Sequence, residues 1–250
     1  MRKLKIYNLA RKLLFLLPPE QSQNISHFFL KLFSGLYKSK QTRFSVKGLK
    51  IKNRLGLAAG LDKNARLINE FDNIGFGFVE VGTITPKPQY GNPKPRIKRL
   101  ISNESLLNSL GFPNEGVATI KPRLQKVRDD ICLGVNIGPN KDTVPQEIVN
   151  DYLFCYREVF KYADFVTMNI SSPNTPNLRS LHNIENFKTV IDAILNERSK
   201  HQKQPKIFIK ISPDEESKTY KDLIDTINDS AIDGVVISNT SDSQKLKESL

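Results

Sequence analysis

From residue 54 onward the chain alternates between two textures. Short apolar runs (RLGLAAG, GFVEVGT, ICLGVNIG, DFVTMNIS, KIFIKIS and DGVVISNT) are separated by longer segments with mixed polarity. Runs of this length, rich in Val, Ile and Phe, read as strands buried on both faces. The intervening segments predict helices over residues 64–74, 115–129, 146–162, 184–199 and 215–229. Ahead of them, FSVKGLKIKN alternates as a small hairpin. The first forty residues predict two short helices. In the second, Ile25, Phe28, Phe29, Leu32, Phe33 and Leu36 share one face. Pro18 and Pro19 end the first helix, and Glu20 brings a favourable charge to the start of the second.

Buried strands alternating with helices indicate parallel βαβ units. A doubly wound sheet would want a GxGxxG turn after its first strand, and none is present. A (β/α)8 TIM barrel instead carries polar functional residues at the C-terminal ends of several strands. Here Asp62 and Lys63 follow the first strand and Thr83 the second. Asn136 follows the third, Asn169 and Ser172 the fourth, Lys210 the fifth, and Ser238, Asn239 and Thr240 the sixth. The expected fold is therefore α/β, a TIM barrel with about six βα units present, preceded by an N-terminal helical hairpin. Two regions are expected, an amphipathic extension over 1–40 and the barrel over 43–250.

Charge sharpens this division. The chain carries +12 overall, yet residues 1–50 hold eleven Lys/Arg against Glu20 alone, so +10 lies in the first fifth. The first helix sets Leu9, Leu13, Leu16 and Leu17 beside Arg2, Lys5, Arg11 and Lys12. Such a hairpin either packs on the core or lies on an anionic membrane surface, where greasy and basic faces together are favoured. No run reaches the ~20 apolar residues that span a bilayer. The run at residues 13–17 is short for a signal peptide, so neither secretion nor membrane spanning is expected. Cys132 and Cys155 have no metal or redox spacing, and His27, His182 and His201 are scattered. This favours a reducing compartment and a metal-free or organic-cofactor protein.

The ring of strand-end residues is rich in Asn, Ser, Thr and Lys and poor in carboxylates. Amides both donate and accept, which suits a ligand edge alternating C=O and N–H, as in a pyrimidine or a flavin. The small residues Gly56, Ala58, Ala59 and Gly60 let a flat ring approach the backbone, although tight helix–sheet packing would use them equally well. Strand-end lysines can stabilise negative charge on a substrate or a reduced cofactor.

Seven segments carry a specific resemblance. GLAAGLDKNA, GFGFVEVGTITPKPQYGNPKPRIKRL, SLLNSLGFPNEG, GVNIGPNKDT, DYLFCYREVF, NISSPNTPNLRSL and VVISNT occur in order from about residue 45 to 240. Together they resemble the dihydroorotate dehydrogenase family, and the basic helical pair resembles the extension of its quinone-dependent class. The resemblance implies oxidation of (S)-dihydroorotate to orotate in pyrimidine biosynthesis. A base removes the C5 proton while C6 passes a hydride to FMN, and a membrane quinone is the electron acceptor. That class uses serine as base. Within NISSPN the resemblance assigns it to Ser172, with Ser171 as a neighbour and Pro173 and Pro176 stiffening the loop.

Further roles follow from the same resemblance. Ala59, Gly60, Leu61, Asp62, Lys63, Thr83, Asn136, Asn169, Lys210 and Ser238 are implied FMN contacts, with Lys210 offsetting charge on the reduced flavin and Ser238 standing where threonine is usual. Lys63, Asn108, Ser109, Leu110, Gly111, Phe112, Asn169, Asn174, Asn239 and Thr240 are implied substrate contacts. The proline-rich stretch 86–95 is expected to be a rigid loop. Expected partners are dihydroorotate or orotate, a membrane quinone and an anionic membrane surface, with neither nucleic acid nor metal. The expected location is peripheral, on the cytoplasmic face of a bacterial cell membrane rather than the mitochondrial inner membrane. A full barrel needs two more βα units, which in this family hold the FMN phosphate. The chain is thus expected to be a fragment, a frameshifted product or a degraded copy, with weakened FMN binding and open edges at strands one and six. Two competing readings are a catalytically impaired copy acting at a membrane surface and a flavin-dependent tRNA-modifying barrel. Against the latter, the basic excess lies in a greasy hairpin and the active loop has no cysteine.

Overall fold

The computed structural model describes residues 2–37, 42, 44–171 and 183–243. In chain order the elements are helices α1 (Arg2–Phe15) and α2 (Pro19–Phe33) and the hairpin β1 (Phe44–Val46) and β2 (Leu49–Ile51). Next come β3 (Gly56–Leu57), α3 (Ile68–Asn73) and β4 (Phe78–Ile84). An antiparallel arm, β5 (Ile97–Leu100) and β6 (Ser105–Asn108), precedes α4 (Val117–Leu124) and β7 (Leu133–Ile137). Then follow α5 (Ile148–Val159), β8 (Phe165–Asn169), α6 (Ile184–Ser199), β9 (Lys206–Lys210), α7 (Ser217–Asn228) and β10 (Gly234–Val236).

The main sheet runs β3-β4-β7-β8-β9-β10, all parallel, each strand beside the next one in sequence. A doubly wound sheet reverses its direction of growth at a switch point. This one never does, so its curl is that of a barrel wall with six strands described. The expected helices appear in place, most closely at α6. Others are shorter than their periodicity suggests: the first begins at Ile68 rather than at residue 64, because residues 58–67 form a loop. The antiparallel arm was not anticipated. It interrupts the βα alternation, and its strands are half-exposed rather than continuously apolar.

Alternation along each strand sorts the buried side chains. Val79, Val81, Leu133, Val135, Val166, Met168, Ile207 and Ile209 belong to the main core cluster, which includes helix residues such as Ile120, Tyr152, Phe187 and Leu223. The inner face is layered. At its floor, Phe78, Phe165 and Phe208 meet edge to face, with ring centroids 6.2 and 5.4 Å apart. Each faces a glycine at the paired position on the neighbouring strand: Gly56 opposite Phe78, Gly134 opposite Phe165, Gly234 opposite Phe208. A methyl at Gly134 would lie 2.1 Å from the Phe165 ring, and one at Gly56 2.0 Å from Phe78. Large and small residues thus fill one layer jointly. Below it, Leu49 and Ile51 close the floor. Lys52, 5% exposed, anchors this end by reaching both Asp72 (2.6 Å) and Asp130 (2.9 Å).

The helical pair docks through polar contacts. Ser22 Oγ donates to Leu14 O (2.6 Å), closing α1 on α2. Arg99 of β5 donates to Leu17 O (2.7 Å) and Ser22 Oγ (2.8 Å), and its guanidinium lies 4.6 Å from the centre of the Phe15 ring. Arg96 pairs with Glu20 at 2.8 Å. Between the helices lies an apolar cavity of about 800 Å³, lined by Leu13, Leu14, Leu17, Ile25, Phe29 and Phe33 among others. Leu16, Phe28 and Leu32 stay well exposed. Among the described residues, no helix is long and apolar enough to cross a membrane.

Substituting Gly134→Ala forces the Phe165 ring out of its layer. We expect a loss of about 1–3 kcal/mol in unfolding free energy, the usual scale of core overpacking, measurable by urea denaturation.

Candidate active site

The strand ends build the site because the sheet's inner face turns polar above the phenylalanine floor. On β4 the inner face carries Phe78 and then Glu80. The register against β7 then slips, Val81 pairing with Val135 but Ile84 with Ile137, so β4 gains one residue. Such a bulge re-aims a side chain. Thr83 uses it to reach Asn136, donating its hydroxyl to Oδ1 at 2.7 Å. Gly82 is obligatory there, since its φ is +108° and a Cβ would sit 2.4 Å from Asn136 O. Thr83, Asn136, Asn169 and Lys210 are all buried.

These groups meet in one cleft of about 150 Å³, roughly the scale of a single small ring. Ala59, Gly60, Lys63, Thr83, Asn169 and Lys210 line it from the strand ends, and Asn239 and Thr240 from the end of β10. Asn108 lines it from the end of the arm, and Leu110, Gly111 and Phe112 from the segment just beyond. Asn136 lies behind Thr83. Asp62 is buried, and its carboxylate accepts the backbone N–H groups of Arg66 (2.9 Å) and Leu67 (2.7 Å), which fixes the 58–67 loop before α3. Leu61 is exposed; its carbonyl accepts from Gln23 of α2 (3.1 Å). Ser109 does not line this cleft; its N–H donates to Arg96 O (2.9 Å). Ser238 Oγ donates to Asn239 O (2.9 Å). Ser172 and Asn174 lie outside the described residues. Their neighbour Ser171 is buried, donating to Lys210 O (3.0 Å).

The segment that follows the arm covers the cleft in a held, strained conformation. Phe112 has φ +50°, unusual for a bulky residue. Gln89 Nε2 donates to the carbonyls of Gly111 (3.2 Å) and Phe112 (3.1 Å), and Asn114 Nδ2 to that of Phe112 (2.9 Å). The proline-rich loop thus has a definite task, because it carries Gln89. Arg96 adds donors to Tyr90 O (2.5 Å) and Asn92 O (3.1 Å).

Electrostatics divides the candidate groups. Burial pushes the Lys63 ammonium below its ordinary value, Arg96 pushes it further, and Glu20 and Asp62 oppose both. Lys63 Nζ also donates to Gly60 O. Burial pushes the Cys132 thiol up to about 12 and the Cys155 thiol well above its ordinary range. Neither cysteine lines the cleft. The donor-rich ring and the small Ala59–Gly60 wall suit the edge and face of one flat heterocycle such as a pyrimidine or part of a flavin. Glu80, Gln23, Arg96 and Gln89 were missed in the sequence. Only Glu80 had a signal, a carboxylate inside the apolar run GFVEVGT.

Comparison with known proteins identifies the family of this chain. The Dihydroorotate dehydrogenase family profile matches residues 41–249. A protein of Serratia proteamaculans named dihydroorotate dehydrogenase (quinone) is 41% identical over 98% of this chain and 76% of its own length. One of the same name from Pseudomonas savastanoi pv. phaseolicola is 41% identical over 98% of this chain and 75% of its own. The crystal structure of DHODH from Eimeria tenella in complex with ferulenol superposes with a TM-score of 0.80 at 34% identity, covering 90% of this chain and 68% of that one.

An anionic ligand held by Lys63 should lose affinity as pH rises through that residue's lowered pKa, hence below the 10.5 of free lysine. Glu20 raises this pKa, so Glu20→Gln should move the alkaline fall to still lower pH. Titration with orotate from neutral pH upward reads the shift.

Proposed function

The chain belongs to the dihydroorotate dehydrogenase family, and on that premise we propose that it oxidises (S)-dihydroorotate to orotate in pyrimidine biosynthesis, with FMN and a membrane quinone as successive electron acceptors. The observation that carries this reading is the convergence of Thr83, Asn169, Lys63, Lys210 and Asn239 on one cleft under the 108–112 segment. In such a site the bound flavin supplies the hydride acceptor. The residues of this chain do the rest.

Thr83, Asn169 and Lys210 hold the flavin ring, with Asn136 orienting Thr83 from behind. Lys63, Asn108, Asn169, Asn174, Asn239 and Thr240 hold the pyrimidine, the ammonium of Lys63 facing its carboxylate. Ser172 takes the C5 proton. A serine hydroxyl is a weak base at neutral pH, so it depends on position and on exclusion of water. Phe112 and Leu110 supply that exclusion from the segment after the arm. The half-buried Lys63 keeps its charge near the substrate carboxylate, where low dielectric strengthens the attraction.

The quinone reaches the site from the helical pair. Its apolar cavity, the exposed Phe28 and Leu32, and the basic excess in residues 1–50 suit an anionic bilayer surface. We place the protein peripherally on the cytoplasmic face of a bacterial membrane. Burial lowers the pKa of His27 on α2, beside Phe71 of α3. The unfolded chain therefore binds the extra proton first, and stability at this contact falls as pH drops through 6.5 towards the folded value.

Two experiments test the reading. Under anaerobic conditions dihydroorotate should bleach the flavin absorbance of the FMN-loaded chain, and Ser172→Ala should slow bleaching by roughly 10²–10⁴-fold, the range of a lost general base. Unchanged bleaching would remove Ser172 from its role. Deleting residues 1–40 should abolish quinone-dependent turnover and vesicle binding while dihydroorotate still reduces the flavin; intact quinone kinetics would separate the helical pair from electron exit.

A further inference from the structure

The segment covering the cleft turns its carbonyls one way. Those of Ser109, Leu110, Gly111 and Phe112 all accept from the proline-rich loop that precedes the arm. Asn92 Nδ2 donates to Ser109 O (2.8 Å), and the Asn92 N–H to Leu110 O (3.0 Å). Gln89 Nε2 donates to Gly111 O (3.2 Å) and Phe112 O (3.1 Å). Phe112 O also accepts from Asn114 Nδ2 (2.9 Å), whereas Gly111 O has Gln89 alone among the described residues. The loop approaches closely: a Cβ on Gly91, whose φ is +76°, would lie 2.2 Å from Leu110 O.

A trans peptide unit is planar, so its C=O and N–H point opposite ways. The Leu110–Gly111 and Gly111–Phe112 units are both trans. With the carbonyls of Leu110 and Gly111 aimed at the loop, the N–H groups of Gly111 and Phe112 point away from it. Leu110, Gly111 and Phe112 line the cleft, while Gln89 and Asn92 stand outside its lining. The two N–H groups are therefore presented on the cleft side, and neither has an acceptor among the described residues. Successive N–H groups offered by a turn suit an anion, and Lys63 lines the same cleft.

The Gln89 amide has one orientation, set by the backbone. Its Oε1 accepts from the Lys141 N–H (3.1 Å) and from Asn140 Nδ2 (2.9 Å), which leaves Nε2 to face the cover. Asn140 is buried and fixed in turn: its Oδ1 accepts from the Lys87 N–H (2.9 Å), and its own N–H donates to Asp151 of α5 (3.0 Å). One strut thus runs from the loop after β7, through Gln89, to the Gly111 carbonyl. We propose that Gln89 is a positioning residue: by holding that carbonyl away from the cleft it aims the Phe112 N–H at the carboxylate of the bound ligand, beside Lys63. The proposal rests on the reading that the cleft takes dihydroorotate and orotate, and it adds what aims the donors of the cover.

The test substitutes Gln89→Met, which keeps the length of the side chain and removes its donor. Orotate affinity should fall about tenfold, the worth of roughly one hydrogen bond. In ¹⁵N-labelled protein, saturating orotate should slow hydrogen exchange at the Phe112 amide about tenfold in the native chain and leave it fast in Gln89→Met. Amides of β7 such as Val135 should exchange alike in both, because the sheet does not depend on Gln89. Equal affinity, equal protection of Phe112, or a loss of protection shared with β7 would overturn the proposal. If Gln89→Met does not fold, Gln89→Glu takes its place: it keeps an acceptor for Lys141 and Asn140, sets an oxygen where the donor was, and should show the same losses. The native chain gives a reading without ligand or substitution. Its Gln89 side-chain amide protons should exchange about tenfold more slowly than those of the exposed Gln21, and equal rates refute the strut. A native chain that binds no orotate defeats the functional reading and leaves that comparison to judge Gln89.

Discussion

Everything at the mouth of this sheet depends on how its floor is filled. A curled parallel sheet brings inner-face side chains from several strands into one space, and that space must be packed without voids or collisions. Three phenylalanines with side chains at the same height could collide unless each were met by an empty position. Gly56, Gly134 and Gly234 are those positions. The floor is apolar and full, so the next layer up is dry enough for Glu80, Asn136 and Thr83 to be held by bonds to one another. Polar order at the mouth is a consequence of apolar order below.

A second dependence runs sideways. The arm beside the cleft carries Arg99, with Arg96 just ahead of it, the residues gripping α1 and α2. Ser109, one residue beyond the arm, hangs from the Arg96 carbonyl, and Gln23 of α2 holds the carbonyl of Leu61 in the loop below. The helical pair and the cleft therefore share a wall. A buried Arg–Glu pair adds little net stability once desolvation is counted, but it fixes where the two parts meet. That is the more useful contribution here, because it ties the position of the helical pair to that of the cleft.

Much of this was legible in the residues. Continuous apolar runs gave away a parallel sheet, and the recurrence of Asn, Thr and Lys at their ends gave away the mouth, because both follow from local period and position. The antiparallel arm was not legible: IKRL and SLLN are half-polar, and only the place of Asn108 in the cleft wall and the grip of Arg99 on the helical pair give them a purpose. Glu80 was visible as an odd residue and yet unreadable, since its partner is 56 positions away. The bulge that turns Thr83 inward leaves no mark on a pattern that simply alternates. Long-range polar pairing escapes sequence reading for a general reason: it has no period.

The two cysteines, described above only as standing outside the cleft, have a practical consequence. Cys155 is fully buried and Cys132 nearly so, and both are held as neutral thiols. Alkylating reagents and mild oxidants act on exposed thiolates, so they will find nothing to attack on the folded chain. A cysteine introduced at Leu16 or Phe28 would then be the sole reactive handle, and a spin label or fluorophore there could follow the helical pair without any native residue having been removed.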